Sequence, residues 1–88
     1  FFNKGKRCSW HFHVKKDEVF YLQSGQMLVK YSDNDDITEA KEITLNAGDA
    51  FHVYRGLRHQ MYAVEDSELF EFSTEHFDED SHRIAKGD

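Results

Sequence analysis

Apolar and polar residues alternate along most of this chain rather than recurring every three or four positions, and alternation predicts strands. Val19, Phe20, Tyr21 and Leu22 form a β-branched and aromatic run that stops at Ser24-Gly25. Met27, Leu28, Val29, Lys30 and Tyr31 follow at once, so the two runs read as strands joined tightly at Gly25. An acidic turn, Ser32 to Asp36, comes next. Short strands are then predicted over Glu42–Leu45, Ala50–Tyr54, His59–Val64 and Glu68–Ser73, separated by Asn46-Ala47-Gly48-Asp49, Arg55-Gly56-Leu57 and Glu65-Asp66-Ser67. Many short strands with frequent turns predict an all-β sandwich or barrel. Beyond Thr74 the chain turns polar and acidic, so residues 74–88 are expected to form a solvated tail or a short helix.

Length narrows this to one domain spanning residues 1–88. A chain this short buries only about 60–65% of its unfolded surface, so its core must be efficient. The single cysteine, Cys8, excludes an internal disulfide framework. No apolar run approaches the roughly 18 residues of a membrane span. The net charge of -6 argues against a nucleic-acid or anionic-membrane partner. The chain starts at Phe1 with no leader pattern, which predicts a processed chain or a piece of a slightly longer polypeptide, with a cytoplasmic location as the default.

Six histidines are many for 88 residues, and their spacing suggests chemistry. His11 and His13 sit two residues apart in a strand-like stretch, so both side chains share one face. Glu18 follows after enough chain to turn a corner, and His59 at the start of another strand could complete a set. Three imidazoles and a carboxylate suit a divalent transition metal rather than calcium or magnesium. Alternation places Arg7 and Ser9 on the face of His11 and His13, Phe20 and Leu22 on that of Glu18, and Met61 on that of His59. An inward Arg7 would hold an anionic group, with Ser9 beside it, and Phe20, Leu22 and Met61 would shape an apolar pocket wall or simply fill the core. Cys8 falls on the opposite face and reads as a small buried hydrophobe. His52 would reach the cavity as an acid or base only if Phe51 and Val53 pack outside the barrel; otherwise it lies at the surface. His76 and His82 fall in the polar tail and are expected to be solvated.

These residues resemble a known family. Gly5, His11, His13, Glu18 and Gly25 fill every specified position of the first cupin motif at allowed spacing. Gly48, Gly56 and His59 match the second motif, but Tyr54 replaces its proline and Ala63 its terminal asparagine. The resemblance runs from about Gly5 to Ser73 and implies a small cupin-type β-barrel, a double-stranded β-helix or jelly roll. It also implies a metal held by His11, His13, Glu18 and His59. Manganese, iron, nickel, cobalt and zinc all suit such a set, and affinity alone does not choose among them. The segment from Leu69 to Arg83, with Glu71 in the last strand and Glu79-Asp80-Ser81-His82-Arg83 after it, is similar to the end of cupins related to sugar-phosphate isomerases.

The resulting expectation is a metal-binding cupin acting on a small polar metabolite such as a sugar derivative, isomerase- or epimerase-like, with Glu71 and His52 as base candidates. Fe(II)-dependent dioxygen chemistry and a non-catalytic ligand-binding domain are the alternatives. Exposed strand edges, and the resemblance itself, lead us to expect a homodimer.

Overall fold

The computed structural model of the chain describes residues 1–74 and 82–85. Eight strands are found among them: β1 (Trp10–Phe12), β2 (Glu18–Ser24), β3 (Gln26–Ser32), β4 (Lys41–Asn46), β5 (Ala50–Val53), β6 (Arg58–Ala63), β7 (Glu68–Ser73) and β8 (His82–Ala85). One short 3₁₀ turn, Ile37–Glu39, lies between β3 and β4. The strands form two antiparallel sheets, a five-stranded one in the order β4-β3-β6-β1-β8 and a three-stranded one in the order β5-β2-β7. Among the described residues no helix is long and apolar enough to cross a membrane.

The alternating residues pack between the sheets as a jelly roll. Phe20 and Leu22 from β2, Met27 and Val29 from β3, Leu45, Val53, Leu57, Met61 and Ala63 make the core. Trp10 is also buried, and its indole nitrogen donates to the Asp35 carbonyl at 2.9 Å. A buried Trp keeps such a partner because an unpaired N–H inside is costly.

Two expectations need correction. The tight joint at Gly25 is not a hairpin: β2 pairs with β5 and β7, whereas β3 pairs with β4 and β6. Gly25 is a corner between sheets, at φ +89°, where a Cβ would overlap the Ser67 hydroxyl and the Asp66 carbonyl. Only glycine fits both the left-handed backbone and the close approach. The C-terminal stretch is also more than a polar tail. β8 extends the larger sheet beside β1, and the His82 ring stacks on Phe12 with centroids 5.0 Å apart. The Arg58 guanidinium lies 4.1 Å from the centre of the same Phe12 ring. His76, Glu79 and Asp80 lie outside the described residues.

Candidate metal centre

The site begins with a strand register. β1 and β6 pair with His11 directly opposite His59, so the two rings meet across the sheet with centroids 4.2 Å apart. His13 follows two residues on, and its centroid is 5.1 Å from that of His11 and 5.6 Å from that of His59. Glu18 opens β2 in the other sheet, so the site joins the two layers. Its placement is fixed by the turns around it. The Asp17 carboxylate accepts from the Arg55 backbone N–H at 2.9 Å and from its guanidinium at 3.0 Å. The Gly56 N–H donates to the His13 carbonyl at 2.6 Å. These bonds tie the turn carrying Glu18 to the turn leading into His59. In that second turn the Tyr54 hydroxyl donates to the Asp33 carboxylate.

Two of the rings have their protons assigned by their surroundings. His11 Nδ1 donates to the Ser9 carbonyl at 2.8 Å, and His59 Nδ1 donates to the Leu57 carbonyl at 3.0 Å. A carbonyl only accepts, so each proton sits on Nδ1 and each Nε2 keeps a bare lone pair. Fixing the tautomer through the far nitrogen is how ligating histidines are commonly oriented. Burial pushes the His59 imidazole down to about 4, and the neighbouring His11 adds to that. Burial lowers His11 as well. Both rings are therefore neutral near pH 7, the form that ligates a metal.

Glu18 is almost fully buried, at 2% exposure. Burial alone would raise its carboxyl, but the adjacent His13 and Lys16 outweigh that and hold it below the usual carboxylate range. His13 Nε2 stands 3.0 Å from Glu18 Oε1, and Lys16 Nζ stands 3.7 Å from Oε2. The His13 nitrogen is close enough to Oε1 for an ion pair. Apart from that ion pair, Glu18 Oε1 and His59 Nε2 are buried side-chain atoms with no hydrogen-bond partner. Such atoms are rare because each costs roughly 1–3 kcal/mol. Ligand atoms of His11, His13 and His59 all lie within 4.8 Å of one another. The orphaned atoms and the three converging imidazoles fit a transition-metal ion.

A cavity of about 320 Å³ opens beside these rings. The family model for the cupin domain matches residues 2–74. The chain belongs to the cupin family. No curated protein sequence matches it, but solved structures do. CapF from Staphylococcus aureus, a capsular polysaccharide assembling protein, is 20% identical with a TM-score of 0.80, over 94% of this chain and 26% of that one. KdgF from Halomonas sp. is 25% identical with a TM-score of 0.74, over 89% of this chain and 66% of that one. QdtA, a sugar 3,4-ketoisomerase from Thermoanaerobacterium thermosaccharolyticum solved in complex with TDP, is 21% identical with a TM-score of 0.78, over 94% and 61%. The cupin chain thus spans between 26% and 66% of the length of these neighbours.

The cupin cavity gathers some of the residues singled out from the sequence and omits others. His11, His13, Glu18, His59, Phe20, Met61 and Glu71 all line it. Glu71 sits on β7 directly opposite Phe20 and is exposed, so it stands where the cavity meets solvent. Leu22 is fully buried in the core and forms no part of the wall. His52 faces outward, opposite Val19, with its ring 58% exposed and 3.9 Å from Asp17. The reason is that Val53 is buried and Phe51 packs on the core, so alternation sends His52 the other way.

Arg7 and Ser9 also need correction. Arg7 bridges to Tyr62 while His11 pairs with His59. Four steps along the first segment therefore match three along β6, and the extra residue is a bulge that inverts the alternation. Arg7 consequently sits on the outer face of the larger sheet, beside Leu28, Lys30, Glu42, Gln60 and Tyr62. The same inversion carries Cys8 into the cavity, where its sulfur accepts from the Met61 N–H at 3.0 Å and burial raises its thiol. Ser9 does not line the cavity; its hydroxyl lies 3.2 Å from His11 Nδ1. Sequence reasoning passed over Phe2, Lys16 and Leu69, all of which line the cavity. Lys16 could have been found, because it shares the parity of Glu18 two residues on.

Proposed function

We propose that this cupin domain holds a divalent transition ion at His11, His13 and His59, with Glu18 as the fourth ligand, and acts on a small polar metabolite such as a sugar derivative. Manganese, iron, nickel, cobalt and zinc all suit the donors. The observation that carries the proposal is the pair of buried atoms without a hydrogen-bond partner, His59 Nε2 and Glu18 Oε1, at the wall of an open cavity. When bound, such an ion supplies a Lewis acid for the oxygens of a ligand.

The chain's own groups supply the rest. Phe2, Phe20, Met61 and Leu69 form an apolar wall that limits water around the site. Glu71 is the proton carrier, because it lines the cavity and keeps access to solvent for proton return. This arrangement supports an isomerase-like reaction, in which one carboxylate takes a proton from one carbon and returns it to a neighbour. The likeness to a sugar 3,4-ketoisomerase is consistent with it.

The test is solvent-deuterium incorporation into a panel of keto- and aldo-sugars by the metal-loaded protein. Exchange should occur with at least one sugar and vanish in Glu71→Gln, with metal content unchanged. A loaded protein that exchanges no proton with any sugar overturns the isomerase reading. The apolar wall also favours a second reading, dioxygen chemistry on Fe(II). Anaerobic iron reconstitution and an oxygen electrode with thiols and phenols test that. The homodimer remains a proposal, supported by Val19, Phe70 and Phe72, which stand exposed on the outer face of the three-stranded sheet. A single-chain mass by light scattering at high concentration would refute it.

A further inference from the structure

The chain passes between the two sheets twice beside the metal centre. Residues 13–17 lead from β1 in the larger sheet to β2 in the smaller one, and residues 54–57 lead from β5 in the smaller sheet back to β6 in the larger one. The first crossing starts at His13 and delivers Glu18, and the second delivers His59. Arg55 joins the two crossings. Its backbone N–H donates to Asp17 Oδ1 at 2.9 Å, its Nη1 to Asp17 Oδ2 at 3.0 Å and its Nε to the Lys15 carbonyl at 3.2 Å. A planar guanidinium bonded in this way fixes direction as well as distance. His52 Nε2, at 3.9 Å from Asp17 Oδ1, is too far for a hydrogen bond, so Arg55 is the closer partner. Asp17 is also anchored on the smaller sheet. Its N–H donates to Thr74 Oγ1 and its carbonyl accepts from the Thr74 N–H, both at 3.1 Å. The Arg55 side chain is 52% exposed, and an ion pair at such a position adds little to stability.

We propose that Arg55 is a positioning residue of the metal centre, which through Asp17 sets where Glu18 stands relative to His13 and His59. The inference rests on the metal reading above. Asp17 and Glu18 are consecutive, so moving Asp17 moves the strand end from which Glu18 projects. On the other side, the residues after Arg55 reach two of the imidazoles. The Gly56 N–H donates to the His13 carbonyl at 2.6 Å, and the Leu57 carbonyl accepts from His59 Nδ1 at 3.0 Å. One exposed side chain thus links a donor of the smaller sheet to two donors of the larger one. An ion needs its donors at nearly fixed distances, and donors held in place beforehand lose less freedom when it binds. Electrostatics alone predicts the opposite sign. Arg55 is a cation, so if it acted only through its field, removing it would tighten the binding of a divalent ion. Positioning predicts that removing it weakens binding.

The experiment uses the full chain and Co(II), whose visible absorption reports the number and arrangement of its donors independently of turnover. Dissociation constants are measured by competition with a chelator, at a temperature where circular dichroism shows every variant folded. Arg55→Ala should bind cobalt roughly tenfold or more weakly, as for other residues that orient metal ligands without touching the ion. Its cobalt spectrum should differ from wild type, which a purely structural role would not cause. Arg55→Lys, which keeps the charge but not the planar fork, should fall between the two. Asp17→Ala should lose as much as Arg55→Ala, and the double variant no more than either, because the two side chains act as one unit. A field acting alone predicts instead that the double variant returns to wild-type affinity. Arg55→Gln replaces Arg55→Ala if that variant does not fold, with the same expected loss. Cobalt affinity in the Ala or Gln variant that is tighter than wild type or within about threefold of it, well short of the tenfold expected, overturns the positioning role. So does an unchanged spectrum, or a double variant that departs from the single ones. Each of these leaves the metal reading standing. Failure of the wild-type protein to take up cobalt overturns the metal reading and this inference with it.

Discussion

Two regions of the same interior follow opposite rules. In one, Leu22, Met27, Val29, Leu45 and Ala63 are almost wholly buried and entirely apolar. In the other, His13, Lys16, Glu18 and His59 are also buried but polar, and two of their atoms lack a hydrogen-bond partner. The apolar region stabilises the fold at about 25 cal/mol for each Å² removed from water. The polar region costs free energy in the metal-free protein, since buried polar atoms without partners keep most of their desolvation penalty. A bound ion would satisfy such atoms. The contrast separates a region that stabilises the fold from one that fits the proposed ligand site, and substitutions in each should separate the two.

The largest effect is expected in the apolar region. Leu22 is fully buried between the sheets, so Leu22→Ala removes packed methyl groups and leaves a cavity. It should cost about 2–5 kcal/mol of unfolding free energy in a denaturant titration. The stabilisation gained on adding metal should be unchanged in whatever fraction stays folded. Loss of metal binding at equal foldedness would show that the regions are not separable.

The polar region should behave the other way. His59→Leu deletes the unpartnered Nε2 together with the bond from Nδ1 to the Leu57 carbonyl. The two changes oppose each other, so metal-free stability should move by less than about 1 kcal/mol. The wild-type protein should gain about 2.7 kcal/mol from metal at a hundred times its dissociation constant, and the variant should gain almost nothing. Unfolding curves with and without cobalt check both halves. A variant that is severely destabilised without metal would mean that His59 serves the fold rather than a ligand.

How much of this contrast is legible in the sequence depends on what alternation encodes. Alternation says which residues share a face, and it put Phe20 and Leu22 with Glu18 on β2 and Met61 with His59 on β6. It says nothing about which strand lies alongside. Ser24-Gly25 therefore looks like a joint within one sheet, although the chain crosses there to the other sheet because Gly25 lies against Ser67. Alternation also fails across an inserted residue. Between Arg7 and His11 the chain gains one residue on β6, and no residue type in Cys8-Ser9-Trp10 announces it. His52 was open to either face until the burial of Val53 decided it. β8 escaped notice because its His-Arg-Ile-Ala sequence is short, and it is held partly by the stacking of His82 on Phe12.

The smallest expected effect tests the bulge itself. If alternation continued unbroken from His11, Arg7 would point at the metal centre, and removing its charge would weaken any anionic ligand. With the bulge, Arg7 stands on the far side of the sheet, near Glu42 and Tyr62. Arg7→Ala should then change unfolding free energy by less than about 0.5 kcal/mol, as for an ordinary surface position. Cobalt uptake should match wild type. Tighter cobalt uptake in Arg7→Ala would mean that its charge faces the cavity and that alternation from His11 runs unbroken, and raising the salt concentration would then shrink the difference.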